Sequence, residues 1–234
     1  MINLLRLLFW LAPPSPLKNR ILSVLGHRIE PGARLSPCVV WKVRDFRVAD
    51  GGMVRPLSVF KNLERVEIGR DALLGPFNLV SAHPVFAAVG LDAGCLLLDD
   101  GAFITSRHSI DCSGSVRLGR FSAIAGHGTT VLTHSIDLDE DAQAARPVAI
   151  GEYSFVGTNC LLLGGASVPA RSVLAAGAVL PKDIDGPREP GVWAGVPARR
   201  VSDVPPDAAW FHRTSPATRD VIDPVSGMRR ARAF

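Results

Sequence analysis

The sequence predicts an all-β chain wound as a parallel β-helix, and three observations carry that prediction. The first is a six-residue rhythm: Ile150, Val156, Leu162, Val168, Leu174 and Leu180 open successive hexads. The second is a small residue in the fifth place of each hexad, at Ser154, Cys160, Ala166, Ser172 and Ala178, with glycine in second place at Gly151 and Gly157. The third is composition: hydrophobic residues make up 47% of the 234 residues but aromatics only 6%, which suits a narrow interior filled by Val, Ile, Leu and Ala. A period of six fits neither a 3.6-residue helix nor one long alternating strand. Hexapeptide repetition is the sequence sign of stacked parallel coils. An aliphatic side chain at each hexad start stacks on the one a coil below. Small residues beside it let the chain turn a corner, and glycine supplies positive φ where a turn needs it.

Taken in order, residues 1–28 predict a helical segment of two short helices broken at Pro13 and Pro14. Pro16 opens the second, which stops at Gly26. The apolar run around Phe9 and Trp10 is interrupted by Arg6, is short for an export signal and is far too short to span a bilayer. Two readings stand for it: an amphipathic helix packed on the body, or a foot resting on a membrane face, with Arg6, Lys18 and Arg20 beside the apolar residues. The coil is expected over 29–182. It starts where Ile29, Ala33 and Leu35 take the hexad form, and it is long or distorted through 39–66, where strand-like alternation replaces the rhythm and Gly51-Gly52 reads as a turn. The rhythm returns at Ile68, Leu74 and Val80, blurs from His83 to Gly94, and resumes at Ile104 and Ile110, then at Leu118, Ile124 and Thr130. Between Ile136 and Pro147 an acidic, polar stretch reads as a loop extruded from one corner. Residues 183–234 are expected as an irregular C-terminal extension. Its proline- and glycine-rich start ends the coil, and its tail, with Trp210 and Phe211, straps back along the body or against a neighbouring chain.

Net charge is +4 with pI about 9.2. That mild excess does not indicate nucleic acid and is compatible with a phosphorylated small ligand. The four cysteines, Cys38, Cys95, Cys112 and Cys160, form no CxxC and no dense framework, so they read as reduced thiols in a cytoplasmic protein. Cys160 fills a small-residue place in the repeat. Neither it nor Cys112 has an activating base nearby in sequence.

Three features together resemble one family. They are the hexad run, a histidine at the start of the extruded loop (Thr133-His134-Ser135-Ile136-Asp137), and the run Ala194-Gly195-Val196-Pro197-Ala198-Arg199 preceded by Lys182-Asp183. Over about residues 100–201 the chain resembles the hexapeptide-repeat acyltransferases, and most closely those that acetylate sugars, such as galactoside and maltose acetyltransferases. That resemblance, rather than the sequence pattern itself, implies a left-handed coil and a homotrimer with active sites between subunits. It implies acetyl-CoA as donor, a sugar hydroxyl of a surface polysaccharide or its precursor as acceptor, and no metal. A lipid-linked acceptor would place the enzyme at the inner face of the membrane.

The chemistry needs a base to take the hydroxyl proton, and histidine suits it because its pKa lies near neutrality. The resemblance assigns that role to His134. The group that orients its ring stays open between Asp137, Asp139, Glu140, Asp111 and a backbone carbonyl, and oxyanion donors between Ser135 and a backbone N–H. For coenzyme A the resemblance implies Thr158, Ala176, Lys182 and Arg199, the last two with the right chemistry for phosphates. A polar-rich stretch from Ile104 to Gly114 places Arg107, His108 and Asp111 as candidates to line the acceptor pocket; alternatively they bond the coil's own backbone. Galactoside and maltose acetyltransferases carry asparagine there, so this departure bears on the acceptor. Two other functions fit the same coil. One is a zinc enzyme like the γ-class carbonic anhydrases, drawing on His83, His108, His127 and His134, although the close histidine pair of that class is missing. The other is a non-catalytic scaffold.

Overall fold

A computed structural model describes residues 2–88, 93–183, 186–215, 220–222 and 228–231. The strands visit three sheets in strict rotation. Arg28–Ile29 lies on the first, Arg34–Leu35 on the second and Val39–Trp41 on the third, and Asp45–Val48 returns to pair in parallel with Arg28–Ile29. This repeats up to Val179–Leu180, and every pairing between coils is parallel.

Three ladders of aliphatic and aromatic side chains fill the interior, one per face. Val48, Ile68, Leu98, Leu118, Ile150 and Val168 stack on the first, and Leu35, Val54, Leu74, Ile104, Ile124, Val156 and Leu174 on the second. Val40, Phe60, Val80, Ile110, Val131, Leu162 and Leu180 stack on the third. All are buried, and burial of each contributes about 1.5–3 kcal/mol against exposure. All six hexad openers of the 150–180 run are therefore core residues, and the fifth-place residues are buried beside them. Gly151 and Gly157 serve close approach rather than positive φ. A Cβ at Gly151 would lie 2.4 Å from the Ala170 nitrogen, and one at Gly157 would lie 2.7 Å from that of Ala176.

One expectation is borne out and two need correction. Residues 39–66 are long coils, as expected: Val39–Trp41, Asp45–Val48, Met53–Val54, Val59–Lys61 and Arg65–Ile68 all pair in parallel. The rhythm breaks there because extra corner residues, with Val43 and Leu63 tucked inward, lengthen each coil. For the same reason Val131, not Thr130, faces inward after the Gly126-His127-Gly128 corner. The stretch after Leu180 also does not end the coil outright. Val192–Gly195 adds one more parallel strand beside Val173–Leu174, and Ala198–Ser202 turns back antiparallel against it.

Two helices close the N-terminal end. We label them α1 (Ile2–Leu11) and α2 (Pro16–Val24), the latter capped by the Ser15 hydroxyl. Trp10 is fully buried against Phe46, their rings 4.5 Å apart, and Phe46 in turn meets Phe60. The buried Lys18 ammonium donates to the carbonyls of Trp10, Ala12 and Leu35, and burial lowers its pKa to about 8. The Leu35 carbonyl at the open end of the coil thus finds a donor where no further coil supplies one, and the same ammonium ties the end of α1 to it.

The extruded segment is a hairpin, His134–Asp137 against Ala142–Ala145, with the Arg146 N–H bonded to the Thr133 carbonyl at its base. A second excursion contains the short 3-10 helix Pro84–Ala88. At the other end of the chain, the tail straps along the second face. The Trp210 ring packs on Phe103 and Phe155, its N–H bonds the Tyr153 carbonyl, and the Arg213 guanidinium lies 3.5 Å from its ring centroid.

Candidate functional site

His134 stands where the third face turns toward the first, at the root of the hairpin. One coil earlier, the equivalent strand Ser109–Asp111 ends on Asp111. The parallel stack therefore brings together two residues 23 apart in sequence. His134 Nδ1 lies 2.8 Å from Asp111 Oδ2. The same oxygen accepts from the Thr133 N–H and hydroxyl and from the His134 N–H, and Oδ1 accepts from Ser113. Burial works to raise the Asp111 carboxyl, and the bonds from Ser113, Thr133 and His134 outweigh it, holding it below its usual range. An ionised carboxylate fixes Nδ1 as the donor, so Nε2 of His134 is left as an acceptor. The His134 side chain remains 35% exposed, so that nitrogen is open to a reactant.

Phe86, from the second excursion, packs on the other side of this ring, centroids 5.5 Å apart. His83 anchors the same excursion, its N–H donating to the Ser113 hydroxyl, the group that also bonds Asp111. Sequence reasoning missed Phe86 and named His83 only as a candidate zinc ligand; the signal for this excursion was the lapse of the hexad rhythm across His-Pro-Val-Phe. Asp111 stood both among the acceptor candidates and among the groups open to orient His134, and its carboxylate takes the second place, bonded to His134, Thr133 and Ser113. Asp137 pairs with Arg146, and Asp139 and Glu140 are exposed in the hairpin turn. Ser135 is exposed within the hairpin.

Arg107 and His108 lie on a different corner, between the second and third faces. Arg107 is exposed and covers the Phe77 ring at 5.4 Å. His108 is 2% exposed. Its Nδ1 accepts from the Thr129 N–H, its Nε2 meets the Thr105 hydroxyl, and its N–H donates to Asn78 Oδ1. It therefore bonds the coil's own backbone, and burial lowers its pKa to about 4. Both ring nitrogens are taken, which leaves none for a metal. Among the described residues, no three His, Cys, Asp or Glu side chains converge on one point within the chain. Burial raises the thiol pKa of Cys38, Cys112 and Cys160, opposite to what a nucleophile needs.

Thr158 and Ala176 continue that corner upward. The Thr158 hydroxyl donates to the His127 carbonyl, and its own carbonyl accepts from Gly177, beside Ala176. Lys182 and Arg199 meet at the C-terminal end, on one cavity of about 700 Å³ that Arg188, Trp193 and Arg200 also line. Arg188 pairs with Asp183, and Arg200 with Asp203. Among the described residues Lys182 and Arg199 have no carboxylate partner, so they are the cations open to an anion. Sequence reasoning passed over Arg188 and Trp193, which the added strand and the turn before it place there. His134 does not line this cavity within one chain.

No family model matches the chain. The bifunctional protein GlmU of Nitratidesulfovibrio vulgaris is 27% identical over 177 residues, 67% of this chain but 36% of that protein, so the match spans about a third of the relative's length. Among solved structures, a mutant of AntD has a TM-score of 0.52 at 10% identity, covering 75% of this chain and 84% of that one. AntD is an N-acyltransferase from Bacillus cereus, held there with dTDP-4-amino-4,6-dideoxyglucose and coenzyme A. A hexapeptide-repeat containing acetyltransferase of Vibrio cholerae, complexed with acetyl coenzyme A, has a TM-score of 0.46 at 22% identity, covering 58% and 69%. What the chain shares with AntD at such low identity is the fold.

Proposed function

We propose that this protein transfers an acetyl group from acetyl-CoA to a sugar hydroxyl, with His134 as general base. One observation carries the reading: the Asp111 carboxylate holds Nδ1 of His134 and leaves Nε2 open beside the extruded hairpin. As the hydroxyl oxygen attacks the thioester carbonyl, Nε2 takes its proton, and the imidazolium so formed is stabilised by Asp111. Collapse of the tetrahedral intermediate expels the thiolate of coenzyme A, which recovers that proton. No acyl-enzyme is needed.

Lys182 and Arg199 fit the nucleotide's phosphates as cations without carboxylate partners, and the Trp193 face offers a plane for the adenine ring. Thr158 and Ala176 lie along the corner that leads from that cavity down the coil, where the pantetheine arm would run. Within one chain Thr158 and Ala176 flank the edge of the third face opposite to His134, whereas Lys182 follows the third-face strand Val179–Leu180 on the same edge as His134. A left-handed coil assembled as a homotrimer would bring one subunit's corner beside its neighbour's His134. The acceptor fits a precursor of a surface polysaccharide, handled on the cytoplasmic side where acetyl-CoA is made. The AntD likeness favours testing an amine acceptor as a second reading, because the same base serves either nucleophile.

The test is release of free thiol from acetyl-CoA across a panel of sugars, nucleotide sugars and amino-sugar nucleotides. Acceptor-dependent release with an acetyl ester in the product supports the proposal. An amide product moves it to the second reading, and no release together with no acetyl-CoA binding overturns it.

A further inference from the structure

The N-terminal plug is built inside out. In α1, Arg6 is folded inward, its guanidinium donating to the carbonyls of Leu25 and Val43, and Trp10 is fully buried. The leucines are left outside: Leu4, Leu5, Leu8 and Leu11 lie within one sector of the helix and are 44–60% exposed. On α2, Leu17 at 66% and Val24 at 87% continue the apolar exposure, with exposed Arg20 between them. A water-facing helix ordinarily turns its charges out and its leucines in. Here the one charged residue of α1 is spent on the protein, and what faces out is hydrocarbon. Such a contiguous patch marks an interaction surface.

We infer that this plug docks on an anionic lipid surface, α1 lying along the headgroup–acyl boundary with Leu4, Leu5, Leu8 and Leu11 inserted. Two observations choose lipid over a protein partner. The first is charge: no Asp or Glu occurs before Glu30, whereas Arg20 and Arg28 are exposed on the same segment, and exposed Lys42 adjoins Val43, on which Arg6 rests. Exposed Arg20 and Arg28, with no acid on the helical segment before Glu30, complement phosphate headgroups. The second is shape: the patch is the convex side of one helix, made of aliphatic chains alone, whereas a protein interface is anchored by aromatic and arginine side chains in pockets. The aromatic Trp10 is turned away from it. No helix among the described residues is long and apolar enough to cross a membrane, so the contact is lateral. The inference does not depend on the acyl-transfer reading.

The test uses the full chain, in sedimentation with vesicles of phosphatidylcholine alone or with phosphatidylglycerol added. Binding to the mixed vesicles, weakening with salt, is expected. Leu4→Gln with Leu8→Gln should lower the partition coefficient on the order of tenfold or more. Because both side chains are exposed, thermal unfolding and solution mass should stay as in the parent. Failure to bind the mixed vesicles, equal binding to both kinds, or unchanged binding by the double variant would overturn the inference. So would a parent mass that the double variant halves, since the patch would then join two copies. Thiol release with a soluble acceptor should be unchanged in the double variant, which separates this result from a failure of the catalytic reading.

Discussion

Asp111 accepts from six groups on Ser113, Thr133 and His134, and so it both builds the corner and aims the imidazole. The two partners should therefore fail differently. His134→Ala is expected to lower kcat by about a hundredfold or more, with the thermal midpoint and donor KM unchanged. Asp111→Asn should lower kcat less, on the order of tenfold to a hundredfold, and also lower the thermal midpoint, because an amide cannot accept from all of those donors. Steady-state kinetics beside a melting curve separates the two outcomes. Lys182 and Arg199 belong to binding rather than chemistry. Lys182→Ala and Arg199→Ala should each raise the KM for acetyl-CoA on the order of tenfold while kcat changes little, and a loss confined to kcat would count against phosphate binding.

At the scale of elements, the corner before the third face is a buried ladder of unlike residues doing one task. Ser58, Asn78, His108, Thr129, Cys160 and Ala178 occupy successive rungs, all buried. The side chains of Ser58, Asn78, His108 and Thr129 each bond backbone of the next coil. His108 does this only as a neutral ring, since Nδ1 must accept. His27, buried under Trp10, likewise accepts from the Phe46 N–H, and burial lowers its pKa to about 4. Both rings thus take up a proton in the unfolded chain near pH 6.5 and in the folded chain only near 4. Between those values the unfolded state binds more protons, so stability falls as pH falls. Thermal midpoints measured across that window should drop. His108→Asn, which copies the Asn78 rung without a titrating ring, should flatten part of the slope.

For the whole molecule, the proposed trimer makes a demand on the outer surface. Val39, Leu57, Phe77 and Leu79 project from the third face and its leading corner, each 38–59% exposed. Together they form an apolar band of the kind that oligomers cover. Light scattering is expected to give three times the 25.0 kDa chain mass. Phe77→Asp with Leu79→Asp, placing charge on that band, should reduce the mass and the turnover together, because the proposed site lies between subunits.

The hexad rhythm was legible because a coil repeats one local problem: a side chain above and below each rung, and a small residue at each corner. Wherever the coils kept to 18 residues, as from Ile150 to Val168, six-residue counting found every core position. Where corners lengthened, as at Val43, Leu63 and Gly126 to Gly128, the count slipped, since an inserted residue leaves no periodic trace. His134 was legible as a histidine at the start of an aperiodic loop. Phe86 against the imidazole and the turning inward of Arg6 were not, and Asp111 as the group that holds His134, His108 bonded to the coil's own backbone and the Trp210 strap were legible only as one alternative among others. Each joins segments a coil or more apart, and which residues meet depends on the lengths of the excursions between them. The amino-acid order by itself determined a stacked coil with one marked histidine. Only the tertiary structure decided what that histidine touches, because the partners are selected by the register of neighbouring coils.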